Sequence, residues 1–378
     1  MPFHFSDRWQ DSDPTPNALT EAIAARKKSG QPIFDLTASN PTQCGIVYPD
    51  WTSLLNQSSV QTYDPHPQGN LKAREAIAQY YAERSERVAP YDLFLTAGTS
   101  EGYAHLFKLL CDPGDEVLVS SPSYPLLETL ASLEGIQIRS YFDLKSLKAN
   151  LTERTRAIFL VQPNNPTGHV LSKNDADYLV HIAEEKGLAL VVDEVFADFL
   201  YNSNILPLLH SKKSLVFTLN GLSKLLGLPQ LKLAWIHVDG ETSLKARAKK
   251  HLEWICDAYL SVSTASQAAC PELLERRLDF QIPIQERLET NLSTLREVAK
   301  ANPQIEPLWP QGGWCIPVRC KGVEDDEAFA LELLEKHGVL VHPGYFFDFE
   351  EEDVVVLSLL IEPTVFREGL ARLLPFGK

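Results

Sequence analysis

The chain has 378 residues and a mass of 42.3 kDa, and 44% of its residues are hydrophobic. That length and apolar content suit a large globular protein and exclude intrinsic disorder. Because 35 Lys and Arg stand against 50 Asp and Glu, the formal charge is −15, and neither nucleic acid nor an anionic membrane is an expected partner.

The N-terminal segment, residues 1–45, is rich in loop-forming residues, and its pattern predicts one short helix over 18–28. Its polar, acidic start is unlike a secretory signal peptide. The six cysteines form no C-x-x-C pair, which is typical of reduced thiols and predicts a cytoplasmic protein without a metal site. We assign this segment to the first part of a small domain.

From residue 92 to 238, short apolar runs alternate with amphipathic stretches. The predicted strands are 92–98, 116–122, 136–141, 156–163, 188–194, 214–220 and 231–238, and the predicted helices between them are 100–110, 124–133 and 173–186. Strands that are apolar throughout predict a mainly parallel sheet with helices on both faces. We therefore expect a large α/β domain over residues 46–265.

The C-terminal part, residues 266–378, has a different pattern. Long amphipathic helices are predicted over 281–301, 325–337 and 363–374, with strands over 314–319 and 354–361. Together with residues 1–45 it is expected to form a smaller α+β domain built from both chain ends.

Polar residues with distinct chemistry follow the strands of the predicted parallel sheet, whose carboxyl ends meet at one edge. They are Gly98, Thr99 and Ser100 at a helix start, then Tyr124, Asn165, Asp193 and Lys224, with Lys232 eight residues further on. A phosphate cradle, an aromatic ring, an amide, a carboxylate and an amine together fit pyridoxal 5′-phosphate.

Each of these residues has an expected role toward that cofactor. Lys224 is the catalytic residue: its amine condenses with the cofactor aldehyde and then carries the proton of the substrate Cα. Asp193 keeps the pyridine nitrogen protonated. Asn165 donates to the 3′-oxygen, and Tyr124 stacks on the ring. The phosphate is expected to be held by Gly98, Thr99, Ser100 and Lys232.

Five segments resemble the class I and II aminotransferases, which are fold-type I pyridoxal-phosphate enzymes. They are Y-D-P-H-P-Q-G-N-L-K-A-R (63–74), L-T-A-G-T-S-E (95–101), N-N-P-T-G (164–168), D-E-V-F (193–196) and L-S-K (222–224). The resemblance implies a homodimer in which Tyr63 reaches the phosphate of the neighbouring subunit. It also implies ping-pong transfer of an amino group between an amino acid or related amine and a 2-oxo acid.

Three positions depart from that family's pattern. Phe196 stands where a tyrosine is usual, and Lys232 stands where an arginine is usual. In the last predicted strand, Leu357 occupies the place of the arginine that binds the substrate carboxylate. Without it, the candidates for that contact are the backbone around Ser39 and Asn40, and the side chains of Arg319 and Arg8.

Two other enzymatic functions fit parts of the sequence. A pyridoxal-phosphate lyase or cyclase acting through a Cα carbanion would use the same lysine and aspartate. A hydrolase is the second, because Gly98-Thr99-Ser100-Glu101-Gly102 also matches G-x-S-x-G, with Asp193 and His342 as the remaining members of a triad.

Overall fold

Helices and strands alternate through most of the chain in the computed structural model, which describes residues 6, 8, 15–202 and 206–373. The helices are α1 (Ala18–Lys28), α2 (Leu71–Glu83), α3 (Thr99–Leu110), α4 (Leu126–Leu133), α5 (Leu144–Leu147), α6 (Lys173–Lys186), α7 (Leu222–Leu225), α8 (Thr242–Tyr259), α9 (Thr264–Glu275), α10 (Arg277–Ala301), α11 (Asp326–Glu332) and α12 (Pro363–Leu373). The strands are β1 (Phe34–Asp35), β2 (Leu93–Thr96), β3 (Glu116–Ser120), β4 (Gln137–Tyr141), β5 (Thr155–Val161), β6 (Ala189–Asp193), β7 (Leu215–Gly221), β8 (Ala234–Gly240), β9 (Ile305–Pro307), β10 (Cys315–Cys320), β11 (Val339–Leu340), β12 (His342–Pro343) and β13 (Val354–Ser358).

The larger sheet has seven strands in the order β2-β8-β7-β6-β5-β3-β4. Strands β4, β3, β5, β6 and β7 run parallel, and the apolar sequences of β3, β5, β6 and β7 are buried because helices cover both faces, while the edge strand β4 is only partly buried. This confirms the predicted α/β sheet. Strand β8 is antiparallel to both of its neighbours.

The smaller sheet is antiparallel, in the order β12-β13-β10-β9, and β1 pairs separately with β11. Leu36, just after β1, is fully buried and packs in one core cluster with Val318, Leu357 and Phe366. The N-terminal segment and the C-terminal part therefore share a hydrophobic core. The domain boundaries themselves, 45/46 and 265/266, stay a prediction.

Most predicted elements are present within a few residues of their expected ends, while α2, α8 and α9 were not predicted. In α8 the buried face consists only of Ala248, Leu252 and Cys256, so its apolar periodicity is weak. The helix expected over 325–337 begins as α11 and continues as a π-helical turn, Leu333–His337. None of the described helices is both long and apolar enough to cross a bilayer.

Gly168 joins the turn after β5 to the segment before β10. It has a left-handed backbone (φ +66°), and its carbonyl oxygen accepts from the N–H groups of Gln311, at 3.0 Å, and Gly312, at 3.1 Å. A Cβ at Gly168 would collide with the carbonyl oxygen of Gly312 and the side chain of Pro310. This contact fixes the segment that leads to Trp314.

We predict that Gly168→Ala destabilises the protein more than Gly187→Ala does. Both glycines have left-handed backbones, at φ +66° and +67°, but the space around Gly187 is open within 4 Å. Backbone strain alone should cost Gly187→Ala about 1–2 kcal/mol, while the added collision should bring Gly168→Ala to about 2–5 kcal/mol. Urea unfolding of both variants measures the difference. Equal losses of stability in the two variants would show that the 310–313 segment moves aside without an energetic cost.

Candidate active site

A cavity of about 300 Å³ lies where the carboxyl ends of the parallel strands face the smaller sheet. Nine of the residues singled out from the sequence line it, namely Ser39, Thr99, Tyr124, Asn165, Asp193, Phe196, Lys224, His342 and Leu357. They come from segments far apart in the chain. The large sheet brings Thr99, Tyr124, Asn165, Asp193 and Lys224 together because each of them ends or follows a strand whose carboxyl end lies at this edge.

Asp193 is the last residue of β6 and is 5% exposed. Its Oδ2 accepts a hydrogen bond from the Tyr103 hydroxyl at 2.8 Å, and its Oδ1 accepts from the Val195 N–H at 3.0 Å. Burial raises the pKa of Asp193 to about 6, although these two donors and the charge of Lys224 act to lower it. The carboxyl is thus rigidly oriented and has acceptor capacity left for a ligand.

Lys224 lies on α7, directly after β7, and its amine faces the cavity. Its Nζ lies 5.1 Å from the ring centre of Trp314 and 5.9 Å from that of Phe196. Burial lowers the pKa of Lys224, while the neighbouring Cys315 and Asp193 act in the opposite direction. A lysine with a lowered pKa is more often neutral, which is the form that acts as a nucleophile or a base.

The two asparagines of the N-N-P-T-G segment have different tasks. The Oδ1 of Asn164 accepts from the N–H of Thr167 at 3.1 Å and from its hydroxyl at 2.8 Å, so Asn164 shapes the turn. Asn165 lines the cavity, and its buried Oδ1 has no hydrogen-bond partner among the described residues. A buried amide without a partner is costly, which indicates that a ligand completes it.

The start of α3 is the part of the site best suited to an anion. Thr99 is the first residue of a 12-residue helix, so the N–H groups of its first turn have no partner within the helix. The amine of Lys232 lies close to this loop, since a Cβ at Gly98 would be 3.5 Å from it. Ser100 is exposed, and Gly98, Ser100 and Lys232 border the cavity rather than line it.

Four other candidates lie apart from the cavity lining. Tyr63 is 71% exposed, and Arg8 is exposed near Ser6. The side chain of Asn40 is used locally, because it accepts from the Thr42 N–H at 3.2 Å. Arg319 forms ion pairs with Asp353 (3.2 Å) and Glu351 (3.3 Å), and it lies four residues, or about 13 Å, along β10 from the cavity.

Three consecutive residues of β13, Val356, Leu357 and Ser358, line the cavity. Leu357 also packs in the core cluster with Val355. The structure thus places Leu357 at the cavity wall, and no arginine lines the cavity among the described residues.

Further lining residues were not assigned to this site from the sequence. They include Thr37, Leu126, Cys315, Phe346 and Phe347, while His342 was considered only for the hydrolase triad. Most lie on the smaller domain, whose position relative to the large sheet depends on tertiary contacts. The run His342-Pro343-Gly344 after a short strand is the one local signal that could have drawn attention to them.

The triad that a hydrolase would need is not assembled. Asp193 accepts hydrogen bonds from Tyr103 and Val195, and His342 makes no hydrogen bond to it among the described residues. Ser100 lies outside the cavity lining. The G-x-S-x-G match is therefore a helix start and not a nucleophile elbow.

Glu194, next to Asp193, is fully buried beneath the site. Both of its carboxylate oxygens are without a hydrogen-bond partner among the described residues, and the nearest cation is Arg84, whose Nη1 is 3.5 Å from Oε2. Burial raises the pKa of Glu194 to about 7, although Arg84 acts to lower it. The charged form is thus poorly stabilised by the fold.

Comparisons with known proteins agree with this geometry. The profile of the family "Aminotransferase class I and II" matches residues 32–357. The glutamate-pyruvate aminotransferase AlaA of Haemophilus influenzae is 28% identical to the chain, covering 93% of this chain and 92% of its own. Among solved structures, an aminotransferase from Escherichia coli has a TM-score of 0.88 at 25% identity, covering 100% of this chain and 98% of its own. Alanine aminotransferase from Pyrococcus furiosus has a TM-score of 0.90 at 22% identity, covering 99% of each chain.

We predict that Glu194→Gln stabilises the protein increasingly as the pH rises. A carboxyl whose pKa is raised on folding costs stability as the pH rises from its unfolded value, near 4.5, through its folded value of about 7, and glutamine removes that cost. The gain over the wild type should be small at pH 5.5 and on the order of 1–3 kcal/mol at pH 8.5. Thermal unfolding at both pH values measures it.

The control is Glu185→Gln on the exposed face of α6. Hydrogen bonds from Lys186 and Lys148 hold the pKa of Glu185 low, so this variant should gain nothing as the pH rises. Parallel pH profiles for the wild type and Glu194→Gln would contradict the prediction.

Proposed function

Because the chain belongs to the class I and II aminotransferase family, we propose that it binds pyridoxal 5′-phosphate in this cavity and attaches it to Lys224. The protein is an aminotransferase, and nothing supports a lyase, a cyclase or a hydrolase in its place. The observation that carries the proposal is that a lysine amine, an aspartate carboxyl and an unpartnered asparagine amide face the same cavity.

The residues present fit this cofactor. The side-chain NH₂ of Asn165, a residue that lines the cavity, can donate to the 3′-oxygen, and the remaining acceptor capacity of Asp193 suits a protonated ring nitrogen. The first turn of α3, with Gly98, Thr99, Ser100 and the nearby Lys232, suits the phosphate. Tyr124, which lines the cavity, would stack on the ring.

When bound, the cofactor supplies an electron-withdrawing ring that stabilises negative charge on the substrate Cα. The work of the protein is then to place groups around that atom. Lys224 would remove the Cα proton of the donor and, in the second half of the reaction, return a proton to the Cα of the acceptor. Its lowered pKa makes the neutral amine available for the first of these steps. The rings of Trp314 and Phe196 beside its Nζ limit the access of water.

We propose that an amino acid or related amine is the donor and a 2-oxo acid the acceptor, in a ping-pong sequence. The donor and the acceptor react in the same cavity. The donor therefore leaves as a carbonyl compound before the acceptor enters. The Haemophilus relative is named for glutamate and pyruvate. We therefore choose these two compounds as the first substrates to test.

We further propose a homodimer. On the single chain, Leu278 and Ile282 are 55% and 52% exposed on one face of α10, and Trp254 and Tyr63 are more exposed still. Exposed apolar side chains at this density mark a contact surface. In such a dimer, Tyr63 would reach the phosphate of the neighbouring subunit.

A cytoplasmic location is the last part of the proposal. All six cysteines are unpaired, and burial raises the pKa of Cys270 and Cys320 to about 12, so these thiols are neutral and protected. Free thiols of this kind are typical of a reducing compartment.

The test of the proposed function is the attachment site. Reduction of the purified protein with borohydride, followed by peptide mapping, should find the cofactor mass on Lys224. Lys224→Arg should lose that mass and slow glutamate–pyruvate transamination by about 10²–10⁴-fold or more, because the general base is gone. Lys232→Gln is the matched control: it should keep the attachment and lose cofactor more readily on dialysis. Attachment to another lysine would refute the assignment.

The dimer is tested separately. We predict that the wild type has about twice the chain mass in sedimentation equilibrium and that Leu278→Asp with Ile282→Asp shifts it toward the monomer, since a buried unpaired carboxylate is costly. Phe142→Asp, at a similarly exposed apolar residue after β4, should leave the mass unchanged. A wild type that sediments as a single chain would overturn this part of the proposal.

A further inference from the structure

The wall of the cavity formed by the smaller domain has no permanent cation. Among the described lining residues, Asp193 and Lys224 are ionisable side chains of the large domain. On the opposite wall, which the smaller domain forms, the one basic side chain is His342. The rest of that wall consists of hydroxyl-bearing and apolar side chains. A substrate carboxylate that enters this space finds no arginine.

His342 is positioned to face that space. It opens β12 and is the register partner of Val356 in β13, so the two side chains lie on the same face of the antiparallel pair. Val356 and His342 both line the cavity. The imidazole packs against Phe346 and Phe347. The centre of the imidazole ring is 5.8 Å from the centre of each phenyl ring.

The ring nitrogens of His342 are not used by the fold. Although the side chain is largely buried, it makes no hydrogen bond to the described residues. Burial lowers the pKa of His342, and the charge of Asp35 acts in the opposite direction. In the ligand-free protein at neutral pH the imidazole is therefore neutral, with its polar atoms available to a ligand.

The charged groups packed around β12 are already engaged. Asp35 in β1 accepts from the Thr37 N–H at 2.8 Å and from its hydroxyl at 2.6 Å. Asp326 in α11 accepts from the Tyr345 N–H at 2.8 Å. From β13 the facing residue is the apolar Val356. The charge of His342 is thus set mainly by what enters the cavity.

We propose that His342 binds the carboxylate of the substrate, taking up a proton from solvent as the anion binds and donating an N–H to it. This rests on the proposed function, since it assigns the substrate-binding wall of the same site. An unpaired carboxylate in a partly buried site costs several kcal/mol. A histidine removes that cost by becoming a cation only when the anion is present, and the hydroxyl-bearing Thr37, Ser39 and Ser358 line the same cavity.

The consequence is that binding is linked to protons. Carboxylate affinity should fall as the pH rises between the pKa of free His342 and its higher pKa in the complex, by at most about tenfold per pH unit. The KM for substrates should carry this dependence, while kcat reflects Lys224. A permanent cation at this place would give no such slope.

The experiment compares two ligands that differ in charge and not in shape. Calorimetric titration of the holoenzyme uses 3-phenylpropionate and its neutral amide, 3-phenylpropanamide, because the cavity has aromatic walls. Titrations at pH 6.0 and 8.0, in two buffers with different heats of ionisation, give affinity and proton uptake. The variants are the single variant His342→Gln and the double variant His342→Gln with Val356→Arg. The matched control is His181→Gln, at an exposed position of α6.

For the wild type and His181→Gln we expect preference for the carboxylate over the amide, an affinity that falls with pH, and uptake of about one proton. His342→Gln should weaken carboxylate binding at pH 6.0 by about 10- to 100-fold, lose the proton uptake and bind the amide as before. Unchanged amide binding reports that this variant is folded. Adding Val356→Arg should restore carboxylate affinity without its pH dependence.

The proposal is overturned if the wild type does not prefer the carboxylate, or if His342→Gln keeps wild-type affinity and proton uptake. Failure of the proposed function looks different. In that case borohydride finds no cofactor on Lys224, and glutamate and pyruvate do not exchange an amino group, whatever the calorimetry shows.

Discussion

The burial of Asp193 and Lys224 in one cavity is the constraint on which this site depends. Low solvent access moves each group toward its neutral form, raising the pKa of the carboxyl to about 6 and lowering that of the amine. Their mutual attraction opposes both shifts but does not cancel them. With a pKa of about 6, Asp193 is still mostly a carboxylate at neutral pH and keeps acceptor capacity for a ligand donor, while Lys224 is neutral more often than a lysine in water. Exposure to water would return the pKa of each group toward its ordinary value.

The two domains contribute to this site in different ways. The large sheet fixes the groups proposed for the cofactor, because they follow strands whose register is set by buried ladders. The smaller domain contributes the opposite wall, and its approach is fixed by contacts such as the one between Gly168 and Gly312. The short path from that contact to Trp314 and Cys315 couples the position of this wall to the turn that carries Asn165.

Much of the candidate site could be predicted from the sequence, because residues after parallel strands must share an edge. Asn165, Asp193, Lys224 and Thr99 were found in this way. The direction of β8 could not be predicted, since its apolar run is the same in either orientation. An apolar run such as 354–361 does not reveal which of its residues face the cavity and which face the core, and Leu357 contributes to both. Arg319 was a reasonable candidate until its partners Asp353 and Glu351 were placed beside it.

The same burial that tunes Asp193 and Lys224 also acts on His342, whose pKa is lowered. Three titratable groups that line the cavity are therefore all moved toward neutrality by one physical cause. The proposed carboxylate and ring nitrogen would each meet a group that can change protonation, while the proposed phosphate would meet N–H donors at the start of α3. Binding of the carboxylate is then coupled to proton uptake, and an arginine on the wall at Val356 would remove that coupling.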